Sequence, residues 1–198
     1  ANDQPNFNLI TNGFLQEGMI EVGEGAHPTF FDHDNDGLVD IVIGNYGTYN
    51  TNDNIIKYQS GLSLYKNIGT ENNPKYQLID SDYLNLSTLN LDIAGSMPSL
   101  GFHPSFGDLD NDGDEDLILG DYNGKVHYFL NNGNTENEAV FNLETPEYEG
   151  IDVGQNATPF IFDLNKDSLL DLVIGKASGT FSYYENQGSL DSPSFVLI

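Results

Sequence analysis

The chain contains no cysteine, which excludes a disulfide framework and thiolate chemistry. That absence does not assign a reducing compartment, because bound metal ions can supply the cross-links that disulfides supply elsewhere. Cationic residues are almost as scarce, with 6 Lys plus Arg against 31 Asp plus Glu and a net charge of -25. Nucleic acid and anionic membrane surfaces both demand a cationic footprint, so neither is expected as a partner. No stretch approaches the roughly 18 consecutive apolar residues of a spanning helix, and membrane insertion is not expected. No basic-then-apolar leader precedes Asn2, so an exported form is expected to have lost its signal. Helical periodicity is missing as well. Neither a nucleophile elbow nor a phosphate loop can be read, and the four histidines, His27, His33, His103 and His127, match no zinc spacing.

High acidity with little apolar content signals disorder, but this chain is 38% hydrophobic and 12% aromatic. Its 198 residues suffice to bury roughly 70% of the extended surface in one or two domains. Much of the acid is concentrated. Asp108-Leu-Asp110-Asn-Asp112-Gly113-Asp114-Glu-Asp116-Leu-Ile-Leu-Gly120 places aspartates at positions 1, 3, 5 and 9 of a loop, glycine at position 6, and an apolar strand behind. Alternate residues of a tightly curled loop can aim oxygens at one centre, the requirement of a hard cation with six to eight oxygen ligands. An EF-hand is excluded, because position 12 is Leu119 inside a strand rather than a bidentate Glu beside a helix.

The pattern occurs three times. Asp32-His-Asp34-Asn-Asp36-Gly37-Leu38-Val-Asp40 precedes Ile-Val-Ile-Gly44, and Asp163-Leu-Asn165-Lys-Asp167-Ser168-Leu169-Leu-Asp171 precedes Leu-Val-Ile-Gly175. The loops hold four, six and three carboxylates, 13 of the 31 in the chain. The expected ligands are Asp32, Asp34, Asp36, the Leu38 carbonyl and Asp40; Asp108, Asp110, Asp112, the Asp114 carbonyl and Asp116; and Asp163, Asn165, Asp167, the Leu169 carbonyl and Asp171. About three Ca2+ ions are therefore expected, one per loop. The third loop should bind more weakly, since Asn165 replaces Asp, Ser168 replaces Gly and Lys166 sits alongside.

The similarity extends beyond the loops. A proline-bearing strand precedes each (Pro28, Pro104, Pro159), at strand starts where a missing amide costs no ladder bond. An aromatic strand follows each, ending in Asn-x-Gly at Asn67, Asn131 and Asn186, and a last strand begins near Tyr76, Phe141 and Phe195. Each repeat thus reads as four short strands, and such units stacked radially make a β-propeller. The boundaries are 1–26 for an outer strand of a preceding blade and a linker, 27–80, 103–143 and 157–198 for three blades, and 81–102 and 144–156 for linkers. Three blades do not close a ring of the usual four to eight, so a larger ring is expected, its other blades from the same longer chain or from other subunits. The proline spacings of 76 and 55 residues place an insertion in the first repeat, mainly Asn45 to Ser60, read as a long surface loop.

Asp-x-Asp-x-Asp-Gly-x-x-Asp-Leu-x-x-Gly after Pro-x-Phe, with Gly-x-x-x-Tyr and Asn67-Ile-Gly69-Thr70, resembles the FG-GAP (VCBS) repeat of integrin α-subunit propellers and secreted bacterial proteins. It looks most like surface proteins of the Bacteroidetes with type IX sorting tails, though no such tail is visible. The resemblance covers roughly residues 27 to 198. It implies a seven-bladed or similar propeller, calcium on the outer blade loops, and adhesion, glycan binding or scaffolding outside the cell. The expected protein is therefore not an enzyme but an extracellular or cell-surface propeller presenting loops to a glycan or protein ligand. The alternative is an accessory domain of an extracellular polysaccharide-degrading enzyme. Tyr46, Tyr49 and Tyr58 are the candidate sugar-stacking rings, whereas Tyr65, Tyr128, Tyr183 and Tyr184 read as packing residues. His27 and His103 read as structural, because the third copy has Thr158. The acids Glu17, Glu144 and Glu185 show no partner in sequence.

Overall fold

The computed structural model describes residues 21–50, 57–89, 91, 100–133 and 138–198, with the side chains of 48–50 and 57–58 excepted. Three four-stranded antiparallel sheets account for most of it. The first pairs β1 (His27–Phe31), β2 (Asp40–Gly44), β5 (Leu62–Asn67) and β6 (Tyr76–Asp80) in that order. The second pairs β7 (His103–Gly107), β8 (Asp116–Gly120), β9 (Val126–Asn131) and β10 (Phe141–Thr145), and the third β11 (Thr158–Phe162), β12 (Asp171–Gly175), β13 (Phe181–Asn186) and β14 (Phe195–Leu197). An all-β fold of about three propeller-type blades follows. Prolines 28, 104 and 159 lie on β1, β7 and β11, which are edge strands and tolerate a missing donor. Of the preceding-blade strand and linker expected over residues 1–26, residues 1–20 lie outside the described residues.

The sheets stack face to face, with β7 packed between β1 and β11. Phe31, Val42, Leu62 and Leu64 of the first sheet meet Leu117, Leu119 and Phe129 of the second. Ile118 and Val126, on the second sheet's other face, meet Ile161, Leu172, Ile174, Tyr184 and Phe195 of the third. This explains the unbroken apolar runs after the loops, because β2 and β8 are buried on both faces. Burying one such Leu or Ile stabilises the fold by about 1.5–3 kcal/mol. The closing glycines permit the close approach of the next sheet: a Cβ on Gly44 would overlap the Phe102 carbonyl, and one on Gly120 the Ala157 carbonyl.

Two readings of the connecting segments change. The first-repeat insertion is not simply a loop, since β3 (Thr48–Asn50) and β4 (Lys57–Gln59) pair as a hairpin. The linkers are not passive either. Each forms a 3-10 turn, Tyr83–Asn85 or Tyr148–Gly150, that inserts Tyr83 and Leu86, or Tyr148 and Ile151, into the adjoining core. The signal was present as Tyr-x-x-(Leu or Ile) after the fourth strand.

Candidate metal centre

Each acidic loop joins the first strand of its sheet to the second, so the three lie at one end of the sheets. Their internal hydrogen bonds repeat position by position. The amide of residue 6 donates to the position-1 carboxylate, at 2.8 Å for Gly37 to Asp32, 3.2 Å for Gly113 to Asp108 and 3.0 Å for Ser168 to Asp163. The amide of residue 7 donates to position 5, at 2.9 Å for Leu38 to Asp36, 2.9 Å for Asp114 to Asp112 and 2.8 Å for Leu169 to Asp167. This curl needs left-handed backbone at position 6, where φ is 82° at Gly37, 98° at Gly113 and 75° at Ser168. Position 4 is left-handed too, at Asn35, Asn111 and Lys166.

The position-9 aspartates have a second role that the sequence reading missed. Asp40, Asp116 and Asp171 are buried, and each ties the loop to the third strand of its sheet. One oxygen accepts from the loop amides of His33 (3.0 Å), Leu109 (3.3 Å) or Leu164 (3.0 Å), the other from Asn67 (2.7 Å), Asn131 (2.8 Å) or Asn186 (2.9 Å). The Tyr128 and Tyr183 hydroxyls add a donor to Asp116 and Asp171, each at 3.0 Å, so these rings do more than pack. The same three asparagines clasp the Asn-x-Gly turns, Asn67 Oδ1 accepting from Gly69 and Lys75, Asn131 Oδ1 from Gly133 and Val140, and Asn186 Oδ1 from Gly188 and Ser194.

The loops fit a hard divalent cation, because their side-chain donors are oxygens that come together without enough partners. In the first loop, ligand atoms of Asp32, Asp34 and Asp40 lie within 4.8 Å of one another, and in the second those of Asp108, Asp110 and Asp112 do so. Asp34 Oδ1, Asp108 Oδ1 and Asp114 Oδ1 are buried and accept no hydrogen bond, an expensive state for a carboxylate oxygen. Burial and neighbouring carboxylates act together on acidity. Burial raises the Asp40 pKa, with Asp34 and Asp36 adding to it against the backbone bonds from Asn67 and His33. Asp110 and Asp114 are raised by burial and then Asp112, and burial lifts Asp116 to about 6 despite its donors. A bound cation reverses this sign. Asp163, Asn165, Asp167 and Asp171 share the loop geometry, but Asn165 offers one oxygen, which accepts from the Asp167 amide at 2.9 Å, while its Nδ2 donates to Asp167 (2.9 Å) and Glu185 (3.0 Å). Glu185 therefore does have a partner.

Other expectations are corrected or refined. Tyr46 is no free platform for sugars: its ring packs edge-on against His27 and His103, and its hydroxyl donates to Asn156 Oδ1 at 2.6 Å. Tyr49 and Tyr58 pair across the hairpin backbone, and their side chains lie outside the described residues. His27 and His103 do hold structural positions at the opposite end of the strands from the loops, their rings 3.7 Å apart across two sheets. Glu17 also lies outside the described residues. Among the described residues no helix is long and apolar enough to cross a membrane. No curated protein matches the chain. Residues 108–174, from the first aspartate of the second loop to the isoleucine before Gly175, match the family model of the FG-GAP-like repeat, and this stretch of the chain is thereby similar to the FG-GAP family.

Proposed function

We propose that the protein is a non-catalytic calcium-binding β-propeller segment that works outside the cell or on its surface, presenting its rim loops to a glycan or protein ligand. The observation that carries the reading is the threefold repetition of one loop geometry around buried or partly buried carboxylates, two of the loops retaining orphaned oxygens. A cation that binds only the folded chain cross-links first strand, second strand and loop at each site, and so stabilises the fold in proportion to its occupancy. Millimolar extracellular calcium matches the affinity class of such modules. The finer likeness, to VCBS-type surface proteins of the type IX class, belongs to the same proposal.

A larger ring is part of the proposal. Phe160, Phe162 and Phe181 lie on one face of the third sheet at 61%, 50% and 68% exposure. Thr29, Phe31 and Leu62 hold the equivalent register in the first sheet, and the second sheet covers that face. Beside Gly175 the nearest atoms are those of Thr158 in its own sheet, whereas at Gly44 and Gly120 the next sheet stands closest. A further four-stranded sheet, from the same polypeptide or another subunit, fits this face.

The test is thermal denaturation with calcium, with magnesium and with excess chelator. Calcium raises Tm, and magnesium does so much less because it holds its waters and demands near-octahedral geometry at about 2.0–2.1 Å. An identical Tm in calcium and in chelator refutes the metal reading. Binding to immobilised glycans without turnover supports the non-catalytic role, and turnover refutes it.

A further inference from the structure

Lys66, Leu130 and Glu185 occupy one register, each immediately before the asparagine whose amide ties the third strand to its loop. The three differ in charge. Lys66 extends its ammonium onto the first loop, where it pairs with Asp34 and stands 3.4 Å from Asp36 Oδ2. It thereby bridges positions 3 and 5, two of the carboxylates expected to hold the cation. Leu130 brings no charge to the second loop. Glu185 accepts from Asn165 Nδ2 at 3.0 Å, placing a carboxylate beside the one position where the third loop lacks an aspartate.

We infer that Lys66 is a built-in competitor for the cation of the first loop, and that the residue at this register sets the order in which the loops fill. The inference rests on the calcium reading above. A cation entering the first loop must displace or repel an ammonium already paired with Asp34 and close to Asp36, whereas among the described residues no ammonium pairs with the aspartates of the second loop. The first loop therefore fills last or at higher calcium than the second, although the two carry the same aspartate pattern at positions 1, 3, 5 and 9. In the third loop Glu185 restores charge lost at Asn165, so that loop is stronger than its own sequence suggests.

Calcium titration of the whole chain followed by 1H–15N NMR tests this, since the position-6 amides of Gly37, Gly113 and Ser168 report the three loops separately. The Gly37 midpoint is expected above that of Gly113. Lys66→Met should lower it about tenfold, the scale of removing a unit charge a few ångströms from a divalent ion, and leave the Gly113 midpoint unchanged. Leu130→Lys should raise the Gly113 midpoint by a similar factor, which keeps the test decisive should Lys66→Met fold poorly. If Gly37 responds to calcium but its midpoint is the same in Lys66→Met, or Leu130→Lys leaves Gly113 unmoved, the competitor is overturned and the calcium reading stands. If none of the three amides responds, the calcium reading itself falls.

Discussion

Asp171→Asn separates the structural role of the position-9 aspartate from its expected role as a metal ligand. The side chain is fully buried and accepts three donors: the Leu164 amide and the Tyr183 hydroxyl on Oδ2, both at 3.0 Å, and the Asn186 amide on Oδ1 at 2.9 Å. An asparagine fills the same volume but accepts on one side only. With its oxygen kept toward Asn186, its amide group meets the Leu164 N–H donor to donor, and only the tyrosine hydroxyl can rotate to adapt. The variant thus loses a charge-assisted bond and strands a backbone amide, a cost of about 2 kcal/mol. For a chain of this size that lowers Tm by about 4–8 °C. The assay is thermal and urea denaturation in excess chelator, where no metal contributes. The calcium-induced rise in Tm should also shrink in the variant, because one ligand oxygen has become an amide group. A variant as stable as the parent in chelator, weaker only with calcium, would refute the structural role and leave Asp171 a ligand alone.

The opposite end of the sheets should be acid-sensitive. His103 is held neutral, its pKa lowered from 6.5 to about 4 chiefly by burial and then by His27, while His27 itself is lowered by burial. A base with a depressed folded pKa contributes stability that is full above pH 6.5 and is lost as pH falls toward 4, up to about 3 kcal/mol for His103. Denaturation across pH 7 to 4 should show that loss, and His103→Thr, matching the third sheet, should flatten it; an equal slope in both proteins would count against the histidine pair. In the third loop, Ser168→Gly relieves a left-handed side-chain-bearing residue and should stabilise the chain by about 1 kcal/mol, read as a rise in urea midpoint. No gain there would show that Ser168 is not strained.

The sequence by itself determined the elements that depend on neighbours in the chain. Aspartates at alternate loop positions, glycine where φ must be positive, proline on an edge strand and an apolar run buried on both faces are local requirements. Each recurred in register, so the four-stranded units and the three loops were legible. What sequence could not give was which side chains from different strands would meet. Asp171 looks like a ligand in sequence, and only strand pairing brings Asn186 and Tyr183 to it. Lys66 is one of the few cations of the chain and lies 32 residues from Asp34; antiparallel register alone puts them together. Tyr46 read as an exposed aromatic until Asn156, 110 residues away, closed over its hydroxyl. Periodicity reports which face a side chain occupies, whereas the sheet stack decides what stands opposite it, and the charge of the first loop was settled at that second level.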